Sequence, residues 1–158
     1  FHDVSEAVLA LAAAQSQSTP QLLAMLDHPW DPATAFEQSA AFTQLYVKTW
    51  KANRDLFRVR NLAADEGDRR FIDARYRAIA PLLDALSKIV ATAQAQGRVR
   101  NDLAPFSTAA ALIAMLDRIS AVPSYRDDQH DGADPQLIRS ASYFAVCALS
   151  GADPAVSG

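Results

Sequence analysis

A chain of 158 residues, half of them apolar, is long enough to bury one core without a metal or a disulfide, hiding about two-thirds of its unfolded surface. Its net charge of −3 argues against a module that itself grips nucleic acid, which is normally strongly basic. A single cysteine, Cys147, excludes an internal disulfide, and with neither a signal peptide nor a run of about 18 apolar residues the expected setting is the cytosol, away from any membrane.

Only five residues are glycine, alternating Val/Ile/Thr runs are missing, and Ala, Leu, Arg and Gln dominate, so every element is expected to be helical. Ser5 can cap a first helix through Ala14, which the polar run Gln15–Thr19 ends. Thr19-Pro20 opens a short helix to about Asp27, and His28-Pro29-Trp30 makes a bend. Asp31-Pro32 repeats the cap-plus-proline device and predicts a long helix to about Asn53. Another helix covers Asp55–Ala64, and Asp65, Glu66, Gly67 and Asp68 form a polar turn. A long helix from Arg69 to Gln96 follows, stopped by Gly97, with Pro81 expected to kink it. Pro105 begins a helix to about Val122, Pro123–Ala133 is a polar loop, and Asp134-Pro135 caps a last helix ending at Gly151. The fold class is all-α, an antiparallel bundle of about six to seven helices in one domain.

The last two long helices are apolar nearly all round. Eight apolar residues run from Ala109 to Leu116, and only Ser142 interrupts Ala141–Leu149. A helix on a monomer's surface should keep a polar face. One side can pack on the chain's own core, and the other calls for a second copy, giving an intermolecular four-helix bundle on a two-fold axis. Small residues would let the helices approach closely. The expected homodimer interface is Ala110, Ala114, Arg118, Ala141, Phe144, Ala145 and Ala148.

On the Pro32–Asn53 helix, Phe36, Tyr46, Val47 and Trp50 fall within about a third of the circumference, with Phe42 and Asn53 at its edge. Glu37, Gln44, Lys48 and Lys51 form the opposite stripe. Large rings, an adaptable methionine and a few polar tips are the usual lining of an apolar cavity. The candidate ligand-binding residues are Phe42, Tyr46, Trp50, Asn53, Tyr76, Leu83, Leu86, Leu112, Met115, Leu116 and Ile119. The same spacing also describes a filled core, as in a helical interaction or scaffold domain without a ligand.

No catalytic constellation stands out: there is no G-x-S-x-G, no glycine-rich phosphate loop and no H-E-x-x-H, so no enzyme and no cofactor is expected. An enzyme would need an acid inside the apolar stripe, and Glu37, Asp55, Asp73 and Asp84 are the acids near the right helices. Asp127, Asp128, His130 and Asp131 cluster, but in a spacing that reads as a solvated connector rather than a metal site. Cys147 reads as a buried, inert thiol. Between Lys51 and Arg77, eight basic and five acidic residues, with Asp65–Arg69 and Asp73–Arg77 at i,i+4, suggest a salt-bridged surface.

The run Tyr46-Val-Lys-Thr-Trp50-Lys-Ala-Asn53-Arg-Asp-Leu56-Phe57, the helix ending Ala93-Gln94-Ala95-Gln96-Gly97-Arg98-Val99, and the helix Ala109-Ala-Ala-Leu-Ile-Ala-Met115-Leu-Asp-Arg118 come in a telling order. Together, over Phe36–Gly151, they resemble the C-terminal regulatory domain of bacterial TetR-family repressors. The resemblance implies a connecting helix at 1–15, ligand-pocket helices over 31–104 and dimerisation helices over 105–151. It further implies that a small hydrophobic effector relieves binding to operator DNA, made through a helix-turn-helix that this sequence does not contain. The chain opens at Phe1 in mid-pattern, so residues preceding it in the parent protein are expected.

Overall fold

A computed structural model describes residues 4–15, 19–121 and 134–151. The described residues form seven helices: α1 (Val4–Gln15), α2 (Thr19–Ala24), α3 (Ala35–Ala52), α4 (Arg54–Asp65), α5 (Arg69–Ala95), α6 (Pro105–Ala121) and α7 (Pro135–Leu149). The described residues contain no strand. The Asp127–Asp131 cluster lies outside them.

Local chemistry sets most boundaries. Asp68 caps α5, its carboxylate accepting from the Arg70 N–H at 2.9 Å, and Asp134 caps α7 by accepting from the Gln136 N–H at 2.9 Å. Gly97 ends α5 with φ of 70°. Around it the Arg98 N–H donates to the Ala93 carbonyl at 2.9 Å and the Gly97 N–H to the Gln94 carbonyl at 2.9 Å, the paired bonds of a Schellman ending. One start differs from expectation. The Asp31 side chain accepts from the Ala33 N–H and its carbonyl from the Thr34 N–H, both at 2.9 Å. That closes a separate turn over Pro32–Thr34, and α3 begins only at Ala35. The second helix also stops early, at Ala24, and its next bonds span three residues, from Met25 to Leu22 and from Leu26 to Leu23. The long α5 runs unbroken through Pro81, whose side chain faces solvent.

At 27 residues, α5 is about 40 Å long and touches α1, α2, α4, α6 and α7, so it is the spine of the bundle. Across it lies α3, which packs on α6 and α7. The buried residues of α3 (Ala35, Ser39, Phe42, Thr43, Tyr46, Val47 and Trp50) span an arc of about 140° at helical spacing. Glu37, Gln44 and Lys48 are exposed opposite, as the sequence pattern requires. The core joins Trp30, Phe42, Leu83, Leu86, Val90, Leu112, Ile113, Leu116, Val146 and Leu149. Ser39 Oγ donates to the Ser142 carbonyl at 2.9 Å, a fully buried bond between α3 and α7.

The two apolar C-terminal helices each bury one face within the chain. On α6 that face is Ala109, Leu112, Ile113, Leu116 and Ser120, and on α7 it is Ala141, Ser142, Ala145, Val146 and Leu149. The outward face of α7 keeps Leu137, Tyr143, Phe144 and Cys147 exposed, and that of α6 keeps Ala111, Ala114 and Arg118 exposed. Cys147 is thus at the surface and not, as its apolar neighbourhood suggested, inside. It sits about 100° from Val146 on the helix, enough to turn it away from the core.

Candidate functional site

Between α3, α4, α5 and α6 lies a small, half-open cavity of about 50 Å³. Its walls are Tyr46, Thr49 and Trp50 from α3, Phe57 and Arg60 from α4, Ala78, Ile79 and Leu82 from α5, and Asp117 from α6, with Gln15 and Leu22 at one end. Trp50 and Asp117 also line a wider surface groove of about 660 Å³ between α4 and α6, so they form the partition between the two spaces. Arg58, Leu62, Arg75, Ala114 and Arg118 border that groove.

The walls are mostly apolar, but the polar groups in them are specific. The Tyr46 hydroxyl donates to Asp117 Oδ1 at 2.6 Å, linking α3 to α6. Burial above all, and the Asp117 charge after it, push the Tyr46 pKa well above its ordinary value, so the phenol keeps its proton and remains a donor. Arg60 is only 4% exposed. Its guanidinium lies 4.6 Å from the centre of the Phe57 ring. Two of its nitrogens, Nε and Nη2, donate to the single Asn61 Oδ1 at 3.1 Å. Burial pulls its pKa down, against the opposing charge of Asp117. The Trp50 ring packs edge-on against Phe57 with centroids 6.1 Å apart, and its buried Nε1 has no hydrogen-bond partner in the chain.

Of the residues singled out by sequence, Tyr46 and Trp50 line this cavity. Phe42, Leu83, Leu86, Leu112 and Leu116 sit in the packed core, with Met115 and Ile119 partly buried against it. Asn53 is the C-cap of α3, and its Nδ2 donates back to the Thr49 carbonyl at 3.0 Å. Tyr76 is 54% exposed on the outer side of α5. Among the interface residues, Ala114, Arg118 and Phe144 face outward, Ala110 and Ala148 lie at the edge, and Ala141 and Ala145 are buried in the chain's own core. Glu37, Asp55, Asp73 and Asp84 are all exposed, and the acid that does face the cavity is Asp117.

Sequence reasoning passed over Phe57, Arg60 and Asp117 as cavity residues. The charge pattern puts Arg60 on a salt-bridged surface, yet it shares a face of α4 with Phe57 and Ala64 at helical spacing, and that face turns inward. The surface pairing is also different in detail: Asp65 pairs with Arg75 at 3.0 Å across the α4–α5 turn. Asp117 could have been found as one of two charges, with Arg118, in the otherwise uncharged stretch Ser107–Val122.

Chemically the site can receive a small apolar group and offer polar partners to one end of it. Among the described residues no group of three or more His, Cys, Asp or Glu is gathered as a metal site would require, and no helix is long and apolar enough to cross a membrane. Comparison with curated proteins and with solved structures returned no match. A family model described as "Tetracyclin repressor-like, C-terminal domain" matches residues 22–130. That span takes in the end of α2, all of α3 to α6 and every cavity residue except Gln15, and the chain belongs to the tetracycline repressor-like C-terminal domain family.

Proposed function

We propose that this chain is the effector-binding and dimerising half of a transcription repressor, in which a small hydrophobic molecule entering the α3–α6 cavity relieves DNA binding. The observation that carries the reading is the cavity itself. An apolar space at the meeting point of four helices, with a buried Trp50 N–H left unanswered, is a poor way to finish a core and a reasonable way to receive a ligand.

Two further features support it. The outward faces of α6 and α7 offer Ala114, Phe144, Leu137 and Tyr143, an apolar surface that a second copy would cover around a two-fold axis. Gln15, at the end of α1, lines the cavity, and α1 packs on α4 and α5. Ligand entry would therefore press on α1, which would carry a helix-turn-helix outside these 158 residues. Tilting it would spoil the spacing of paired recognition helices over successive major grooves. The ligand must favour the DNA-incompetent state, and DNA must weaken the ligand by the same factor. No step of this mechanism calls for catalysis.

The competing reading is a helical interaction domain with a filled core. Its support is size, because about 50 Å³ is well below the roughly 300–1,000 Å³ of established ligand pockets. Ala78→Leu separates the two. In a real cavity the added side chain fills space, so the melting temperature holds or rises and any thermal shift from apolar small molecules disappears. In a filled core it overpacks and costs about 1–3 kcal/mol. Destabilisation of that size, with no small molecule shifting the wild type, refutes the effector reading.

A further inference from the structure

The cavity holds more hydrogen-bond donors than the protein uses. Trp50 is 3% exposed and its Nε1–H, which can only donate, meets no acceptor in the chain. Arg60 has five N–H groups, and its Nε and Nη2 converge on one neutral amide oxygen, that of Asn61. Among the described residues no carboxylate stands at ion-pair distance from it. The acid in the same wall, Asp117, accepts from the Tyr46 hydroxyl on Oδ1 at 2.6 Å and acts on Arg60 by charge alone, with no bond to the guanidinium.

On the reading that the cavity takes an effector, we propose that the effector is a hydrophobic monocarboxylate, its apolar body against Phe57, Ile79 and Leu82 and its carboxylate against the Arg60 guanidinium and the Trp50 N–H. A plain hydrocarbon would leave both buried donors unmet. An ammonium would enter beside a buried guanidinium, and the one carboxylate of the wall, Asp117, already balances that guanidinium by charge and holds the Tyr46 hydroxyl. A carboxylate accepts from both donors at once and matches the planar fork of arginine. The adjoining groove has the same bias. It holds Arg58, Arg75 and Arg118 against Asp65 and Asp117, and Asp65 is paired to Arg75. An anion approaching along it meets a surplus of positive charge before reaching Trp50.

Three probes of one shape and different charge test this: 4-phenylbutyrate, 4-phenylbutan-1-ol and 4-phenylbutylamine, titrated calorimetrically into the 158-residue chain. The carboxylate is expected to bind at least about tenfold more tightly than the amine, with the alcohol between them, the scale of one charge-assisted bond. Arg60→Gln should cut that preference to about threefold or less, and Arg60→Lys should restore part of it. Should Arg60→Gln fail to fold, Trp50→Phe keeps an aromatic ring but removes the donor. It should weaken phenylbutyrate about fivefold while changing the alcohol less than about twofold. Amine binding as tight as carboxylate binding, or a preference untouched by either variant, overturns the carboxylate assignment and leaves the cavity reading in place. If none of the three probes binds at millimolar concentration, the cavity reading falls and the assignment with it.

Discussion

Replacing Tyr46 with phenylalanine tests the tie between the cavity wall and α6. The ring of Tyr46 is 6% exposed and packs beside Phe42, with centroids 6.3 Å apart, so the phenylalanine ring can keep its place. What is lost is one bond to a charged acceptor, the 2.6 Å contact with Asp117, which joins positions 71 residues apart. Such bonds contribute about 1.5–3 kcal/mol, and because Asp117 is half-buried and can recover some water, about 1–2 kcal/mol is the expected loss. In a domain of this size that lowers the melting temperature by roughly 3–6 °C. Asp117→Asn and the double variant complete a cycle whose coupling should be about 1 kcal/mol. The pH dependence supplies a separate check. Burial raises the Tyr46 pKa in the fold, whereas the unfolded phenol titrates near about 10. The unfolded chain therefore loses its proton first. The Tyr46 contribution is intact below about pH 10 and fades as pH rises beyond it. Thermal and urea unfolding followed by tryptophan emission, at one fixed protein concentration because a dimer's stability depends on it, measure the melting shift, the coupling and the pH dependence. A shift under about 1 °C, strictly additive single variants, or a wild-type advantage that persists unchanged up to pH 11 would refute the reasoning.

Gly151→Ala should destabilise the chain by about 2 kcal/mol or more, read by thermal melting. Residue 151 has φ of 64°, which costs a non-glycine residue about 1 kcal/mol, and an added Cβ would lie 2.0 Å from the Arg98 carbonyl oxygen. Phe144→Glu and Ala114→Glu, both on outward faces, should convert a dimer into a monomer at about 10 μM by light scattering without lowering helix content. Ala145→Glu, by contrast, puts a charge into the chain's own core and should unfold it, as circular dichroism would report. A wild-type chain that is already monomeric at that concentration would remove the case for a shared α6–α7 interface.

The helices were largely legible because their ends carry chemistry that acts locally. Asp68, Gly97 and the Asp134-Pro135 pair each satisfy backbone groups within a few residues, whatever the rest of the chain does. Asp31 misled for the same local reason: its carboxylate and carbonyl close a turn of their own before α3 can start. The site was less legible. Helical spacing finds the buried arc of α3 but does not say where along it the opposing side chains fall short, and so Phe42 packs solidly while Tyr46 and Trp50 border a space. Arg60 was hidden by its company, since seven other basic residues between Lys51 and Arg77 make one inward arginine look like part of a wet surface. Tyr46 and Asp117 come from distant helices, and only the tertiary packing brings them together.

The buried Ser39–Ser142 contact limits how the bundle can deform. A serine hydroxyl is short, and with both residues fully shielded a slide of even an ångström between α3 and α7 would strand the donor without water to replace its acceptor. These two rods are therefore best regarded as one rigid block. Displacement forced on Tyr46 or Trp50 from inside would then be passed on toward Tyr143 and Phe144 on the far side, with α1, α4 and the front half of α5 the easier parts to yield.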